Sequence, residues 1–399
     1  MDSYSCPQAF TISNQQDINA SATGLAQCTG EDVSINIVSP TTDLIFPSEL
    51  LVNNISVTGL EDSRNTLHLD LNAIDGVENL YMEEFLNGSL ILPIQVSPFD
   101  GIVQSITVTN SRRSQWTYDN VQVYGNGTSE WRQVNGSRIT TFQDITYLNV
   151  LQLQDTAITS PTLKSIANLE SDNTVLRVPQ LAYIGNATFT NFIFPTLSSQ
   201  SLQFVGDLTV QHRVPLDDDD PVRDIADSLW DIQSVDGNFA IQDWSNGTLD
   251  LSTLATVEKQ LSVRDSINTN FVFSDLSSVG NLVMENNGES LLPGDFRNLE
   301  FADSIQLKGK IDTSSFGNIF PSLKLVKQSI TVEASNNDFN CSHLIFQQSQ
   351  GLIGQVNCNG LNGDDSDMDP SSSATRSGIF RGIWVGIGIS FAIAVLSNA

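Results

Sequence analysis

A short strand motif, apolar-x-apolar, returns along this chain at intervals too short for an independent domain. It reads Leu208-Thr-Val210, Phe239-Ala-Ile241, Leu261-Ser-Val263, Leu282-Val-Met284, Ile305-Gln-Leu307 and Ile330-Thr-Val332. From Phe239 onward the steps are 22, 21, 23 and 25 residues. A second landmark keeps the same rhythm, as Leu251-Ser-Thr-Leu254, Phe273-Ser-Asp-Leu276, Phe296-Arg-Asn-Leu299 and Phe320-Pro-Ser-Leu323. Val257, Val279, Ala302 and Val326 then open the next units. Period-2 alternation marks a half-buried strand, and the polar stretch after it marks a turn. A unit of about 22 residues cannot bury its own apolar face, whereas stacked neighbours can. The expected fold is therefore all-β, a parallel β-solenoid with rungs about 4.8 Å apart.

The solenoid is expected over residues 31–335. Its upstream rungs are less regular, at Ile35-Asn-Ile37, Ile55-Ser-Val57, Leu67-His-Leu69, Leu90-Ile-Leu92 and Ile106-Thr-Val108. Between about 112 and 138 the rhythm is lost, which predicts an irregular insertion. Open β edges invite aggregation, and both ends carry helix signals. Ser13 precedes Gln16 with capping-box spacing, and Ile18, Ala22, Leu25 and Ala26 share one helical face, giving a cap over 1–30. Ser342–Gln350, bearing Leu344 and Ile345 and stopped by Gly351, gives a second cap over 336–360.

The four cysteines fall in two terminal clusters, Cys6 with Cys28 and Cys341 with Cys358. Three pairings are open on paper, as is a reduced, buried state. Bonding within each cluster would close short loops at the two ends, contributing about 2–4 kcal/mol each. The even count and terminal placement favour disulfides and an oxidising compartment. The formal charge of −28, from 46 acidic against 18 basic residues, repels polyphosphates and argues against nucleic acid as a partner.

After Cys358 the chain changes character. Residues 361–377 are rich in Gly, Asp and Ser and predict a flexible linker. Residues 378–399 are apolar apart from Arg381, and the run from Gly382 to Leu396 carries no charge. Small residues, a polar spacer and a final apolar stretch are the parts of a GPI-attachment signal. The attachment residue is expected at Ser371, Ser372 or Ser373, with Asn362-Gly363 a weaker choice, and the tail 378–399 is expected to be removed on maturation. A permanent tail anchor is the rival, although fifteen uncharged residues are short for a span of about 20. Residues 1–6 contain neither a basic n-region nor an apolar h-region, so no signal peptide is expected within this sequence. A secretory leader is expected outside it; otherwise the body is cytosolic and tail-anchored.

Sequons for N-glycosylation occur at Asn19, Asn54, Asn87, Asn126, Asn135, Asn186, Asn246 and Asn340. With 34 Asn and 76 Ser plus Thr in 399 residues, chance supplies roughly six or seven. The sequons permit secretion and add nothing to the case for it.

The N-terminal block SCPQAFTISNQQDINASATGLAQCTG, the 22-residue rungs, the block DFNCSHLIFQQSQGLIGQVNCNG and the Ser-rich stretch with its apolar tail together resemble the fungal GPI-anchored cell-wall organisation proteins. Their sporulation-specific relatives belong to the same group, and the ectodomain is similar to the receptor L-domain. The resemblance covers nearly the whole chain. It implies a right-handed β-solenoid at the plasma membrane or in the wall, with a role in wall integrity and morphogenesis. It also implies wall glucan or wall proteins as partners, a monomeric ectodomain and no catalytic residues to carry over. The short Ser-rich linker departs from the pattern and argues against heavy O-mannosylation and long reach.

Few groups converge for chemistry. His68, His212 and His343 lie far apart in sequence without metal-ligand spacing, and no nucleophile elbow, phosphate loop or Cys-x-x-Cys site is present. No catalytic, cofactor or metal residue is therefore assigned. Asp217–Asp220 forms the densest acidic cluster, expected in a solvated loop over about 213–225; calcium binding or a catalytic acid pair including Asp218 and Asp219 are the alternatives. Trp116, Trp131, Trp230, Trp244 and Tyr118 are either packing residues or sugar-stacking platforms. The sequence thus predicts a non-enzymatic surface protein. A polysaccharide hydrolase or transglycosylase, or a ligand-binding receptor ectodomain, are the alternatives.

Overall fold

The computed structural model describes residues 6–361 apart from several stretches, the longest being 59–66, 93–101, 110–119 and 212–231. Within the described residues 28 strands and two helices stack as a parallel β-solenoid. Each coil lays one long strand on a first sheet, turns, and lays a shorter strand on a second face. Eight strands from Leu44–Ile45 to Leu197–Ser198 make the second face of the N-terminal coils. Ser245–Asp250, Ile267–Val272, Leu291–Leu292 and the end of Phe301–Ile311 continue a second face further along.

Two corner chemistries close the coils. At one corner a single residue adopts the left-handed conformation, with φ of 51° at Asp155, 50° at Asn173, 54° at Asn191, 55° at Asp243 and 54° at Asp265. Asp and Asn tolerate this region because their short polar side chains bond locally. Here Asn173 Nδ2 donates to Asp155 Oδ1 of the preceding coil at 2.6 Å. At the other corner the Phe-x-x-Leu landmark is a β-turn that returns both apolar ends to the core. Leu299 N–H donates to the Phe296 carbonyl at 3.1 Å, and Leu323 N–H to that of Phe320 at 3.3 Å.

The inward columns fill the interior. Leu151, Leu169, Ala187, Leu208, Phe239, Leu261, Leu282, Ile305 and Ile330 stand in register on successive strands, all buried. Phe273, Phe296 and Phe320 stack with centroids 6.0 and 5.5 Å apart. Outside, polar columns repeat the register: Asn79 donates to Asn54, Asn186 to Asn168, Asn238 to Asp207 and Ser304 to Asn281. Cross-rung ion pairs Lys308–Glu333, Lys324–Glu300 and Lys327–Asp303 close at 2.8, 2.6 and 2.6 Å. Glu333 raises the Lys308 pKa above its ordinary value by hydrogen bonding and charge.

The structure rearranges part of the expected register. Leu67-His-Leu69 and Leu90-Ile-Leu92 lie on the second face, in Leu67–Asp70 and Gly88–Ile91 with Leu92 directly after it. Leu80-Tyr-Met82 is the first-sheet motif that follows Ile55-Ser-Val57. Within 112–138 the strands Asn120–Tyr124 and Thr128–Val134 pair with coils on both sides, so the rungs continue through that stretch.

Helix α1 (Gln15–Gln27) covers the first coil, and Ile18 and Leu25 are its buried residues. Its capping box is Asn14 with Asp17, one position beyond the expected Ser13 with Gln16. The Asp17 carboxylate takes the N–H of both Ser13 and Asn14 at 2.7 and 3.2 Å, a charge-assisted pair favoured at a helix N-terminus. Helix α2 (Ser342–Ser349) ends before Gly351 at φ 77°, burying Leu344 but leaving Ile345 exposed. Cys6–Cys28 and Cys341–Cys358 are the two disulfides.

Candidate functional site

The outward face of the first sheet carries a groove of about 470 Å³. Its walls follow from the strand period: in each apolar-x-apolar motif the middle side chain points outward. Ladder register aligns these middle residues as Ser56, Tyr81, Thr107, Arg132, Gln152, Glu170, Thr188 and Thr209. Thr107 through Thr188 line the groove, and Gln154, Asp172 and Thr190, two residues further along their strands, form a second row.

Hydrogen bonds between rungs hold the polar groups in place. Gln152 Nε2 donates to Glu170 Oε2 at 2.9 Å. Asn191 Nδ2 donates to Asp172 Oδ1 at 2.7 Å. Arg132 Nη2 lies 3.6 Å from Glu130 Oε2, with both side chains solvent-accessible. The groove therefore presents a guanidinium, amides, carboxylates and hydroxyls in fixed rows. Tyr81, 44% exposed, stands one rung beyond Thr107 in the same row.

Beneath the groove the core holds polar residues. Trp131 Nε1 donates to Gln133 Oε1 at 3.3 Å, Thr140 Oγ1 donates to the same oxygen at 2.9 Å, and Gln133 Nε2 donates to Thr156 Oγ1 at 2.6 Å. Ser171, in register between Leu153 and Phe189, is buried and its Oγ has no hydrogen-bond partner among the described residues. A buried hydroxyl without a partner is destabilising. Ser171→Ala is expected to raise stability by about 1 kcal/mol, read from the denaturant midpoint. A loss instead would show that an ordered water satisfies the hydroxyl.

The candidates drawn from sequence scatter over the molecule. Trp131 is fully buried against the edge of Phe142, with centroids 4.9 Å apart, and Trp244 is buried too. Neither serves as a sugar platform. Trp116, Tyr118, Trp230, His212 and the acidic cluster Asp217–Asp220 lie outside the described residues. His68 is exposed on the second face and His343 lies in α2. Among the described residues no group of three His, Cys, Asp or Glu could hold a metal ion. Asn19 and Asn186 are exposed sequons, whereas Asn54 and Asn340 are partly covered. Asn340 Oδ1 accepts the Ser342 N–H at 2.8 Å. Asn87, Asn126, Asn135 and the side chain of Asn246 lie outside the described residues, as do Ser371, Ser372, Ser373, the linker beyond Leu361 and the apolar tail. Among the described residues no helix is long and apolar enough to cross a membrane.

The groove residues are the middle letters of the strand motif. Two of the strands that bear them, Thr128–Val134 and Ser165–Asp172, break its apolar signature: Gln133 and Ser171 occupy inward positions where other coils place apolar residues. No family model matches this sequence, and no match is found among curated proteins or solved structures.

Proposed function

We propose that this chain is a non-enzymatic, GPI-anchored surface protein that supports the organisation and integrity of a fungal cell wall. The observation that carries the proposal is the closure of both solenoid ends by disulfides, Cys6–Cys28 and Cys341–Cys358. Such bonds persist in oxidising compartments, and they accompany a C-terminal sequence with the order of a GPI signal. The mechanism is positional. A rigid rod, tethered at its C-terminal end, presents a polar sheet face to wall glucan or wall proteins.

Phosphatidylinositol-specific phospholipase and glucanase digestion of intact cells test this reading. Release by either enzyme is expected, and which one acts tells whether the anchor stays in the membrane or is transferred to glucan. Retention after both treatments, with the protein inaccessible to external protease, would favour a cytosolic tail-anchored body.

A further inference from the structure

We infer that the row from Tyr81 to Thr188 binds a linear, neutral, polyhydroxylated chain, a hexose polymer, lying along the solenoid axis. The inference deepens the wall-protein proposal and rests on it only for the origin of the polymer. Three physical features select this ligand class.

The first feature is spacing. Tyr81, Thr107, Arg132, Gln152, Glu170 and Thr188 sit on successive rungs, which repeat at about 4.8 Å. Their row is about 24 Å long, and each step is of the size of one pyranose unit in an extended chain. The second feature is chemistry. The planar ends of Arg132, Gln152 and Glu170 each offer two polar atoms side by side, the geometry that engages vicinal hydroxyls. Tyr81 adds an exposed ring on which the apolar face of a sugar can stack.

The third feature is charge. The chain carries −28 overall, so a polyanion is repelled. Glu170 and Asp172 each accept one amide N–H, from Gln152 and Asn191, which orients the carboxylates and leaves further lone pairs to accept sugar hydroxyls. With a guanidinium and carboxylates side by side, the groove suits a neutral ligand rich in donors and acceptors.

Asn186 makes the source of the sugar a real question. It lies on the same face, two residues before Thr188 on one strand, or about 7 Å along it. A glycan on Asn186 could therefore reach the groove, and we assign the row to an external polymer rather than to that glycan.

The test uses the ectodomain, natively glycosylated and as Asn186→Gln, with linear neutral glucose hexasaccharides of different linkage titrated calorimetrically. Saturable binding by both forms to at least one hexasaccharide is expected, changing little between 50 and 500 mM salt. Tyr81→Ala and Glu170→Ala are each expected to weaken it about tenfold, while Arg177→Ala, on the second face, leaves it unchanged. Equal binding by the Tyr81 and Glu170 variants would overturn the assignment. So would preference for an anionic or cationic polymer, or failure of every hexasaccharide to bind. Binding by Asn186→Gln alone would overturn it in favour of the protein's own glycan. Unfolding midpoints of the variants separate lost contacts from lost folding. Enzymatic release from cells reports on anchoring independently of sugar binding, so either proposal can fail while the other stands.

Discussion

Phe296→Ala is expected to lower stability by about 4 kcal/mol, among the largest effects of any single core truncation in this chain. Phe296 is fully buried and stacks between Phe273 and Phe320, at 6.0 and 5.5 Å. Truncation removes both ring contacts, each contributing about 0.5–1.5 kcal/mol beyond burial, and leaves a ring-sized void. Two features stop the void collapsing. The Phe296 carbonyl is tied to the Leu299 N–H in the corner turn, and the Phe296 N–H is tied to the Ile319 carbonyl of the next coil. Phe296→Leu, which keeps most of the apolar volume, should lose about 1.5 kcal/mol.

Because a solenoid coil contacts chiefly its neighbours, the damage should be local. Hydrogen exchange is expected to accelerate most in Ser278–Glu285, Phe301–Ile311 and Leu325–Ala334, with Leu51–Thr58 and Gly76–Glu83 little changed. A uniform loss of protection along the rod, or a total loss below about 1 kcal/mol, would show that the stack does not hold the coils together.

The stack shows what period alone can reveal. Phe273, Phe296 and Phe320 were visible as the first letters of a repeated turn, and their stacking follows from parallel coils in register. The cysteine clusters, α2 and Gly351 were legible for similar reasons, since each depends on nearby sequence. The assignment of strands to sheets was not. Alternation in Leu67-His-Leu69 is indistinguishable from that in Leu80-Tyr-Met82, because both are half-buried strands and differ only in which face of the coil they occupy. The shortest coils were hidden for another reason. Their corners turn on Asp155, Asn173 and Asn191 rather than glycine, and their inward positions include Ser171 and Ala187. The glycine signal is absent and the apolar signal is interrupted at Ser171, so the row that forms the candidate site is not evident from the period alone. Its residues are separated by 18 or more in sequence and meet only through the ladder.

Gly280→Val should be comparably damaging, at about 3 kcal/mol, although it adds apolar atoms and deletes no contact. The position requires glycine for space. A Cβ on Gly280 would sit 2.1 Å from the Lys259 carbonyl oxygen and 2.6 Å from that of Glu258. These are backbone atoms of the preceding coil, where a register shift between Val257 and Gln260 crowds two carbonyls into the bend. Neither can rotate away, so the coils must part or slip. The same close approach recurs at Gly206, over the Gly185 carbonyl, and at Gly354, over that of Gln328. Gly351 provides the contrast: its φ of 77° disfavours other residues, but a Cβ there meets nothing within 4 Å. Gly351→Ala should therefore lose only the backbone term, about 1–2 kcal/mol. Comparison of the two variants by denaturant unfolding separates crowding from conformation. If Gly280→Val lost no more than Gly351→Ala, the coils would have to be soft enough to absorb a side chain. The outward rows would then lack a fixed spacing as well, because the strand carrying Thr188 is set against its neighbour by the same approach, Gly185 lying over the Ala167 carbonyl.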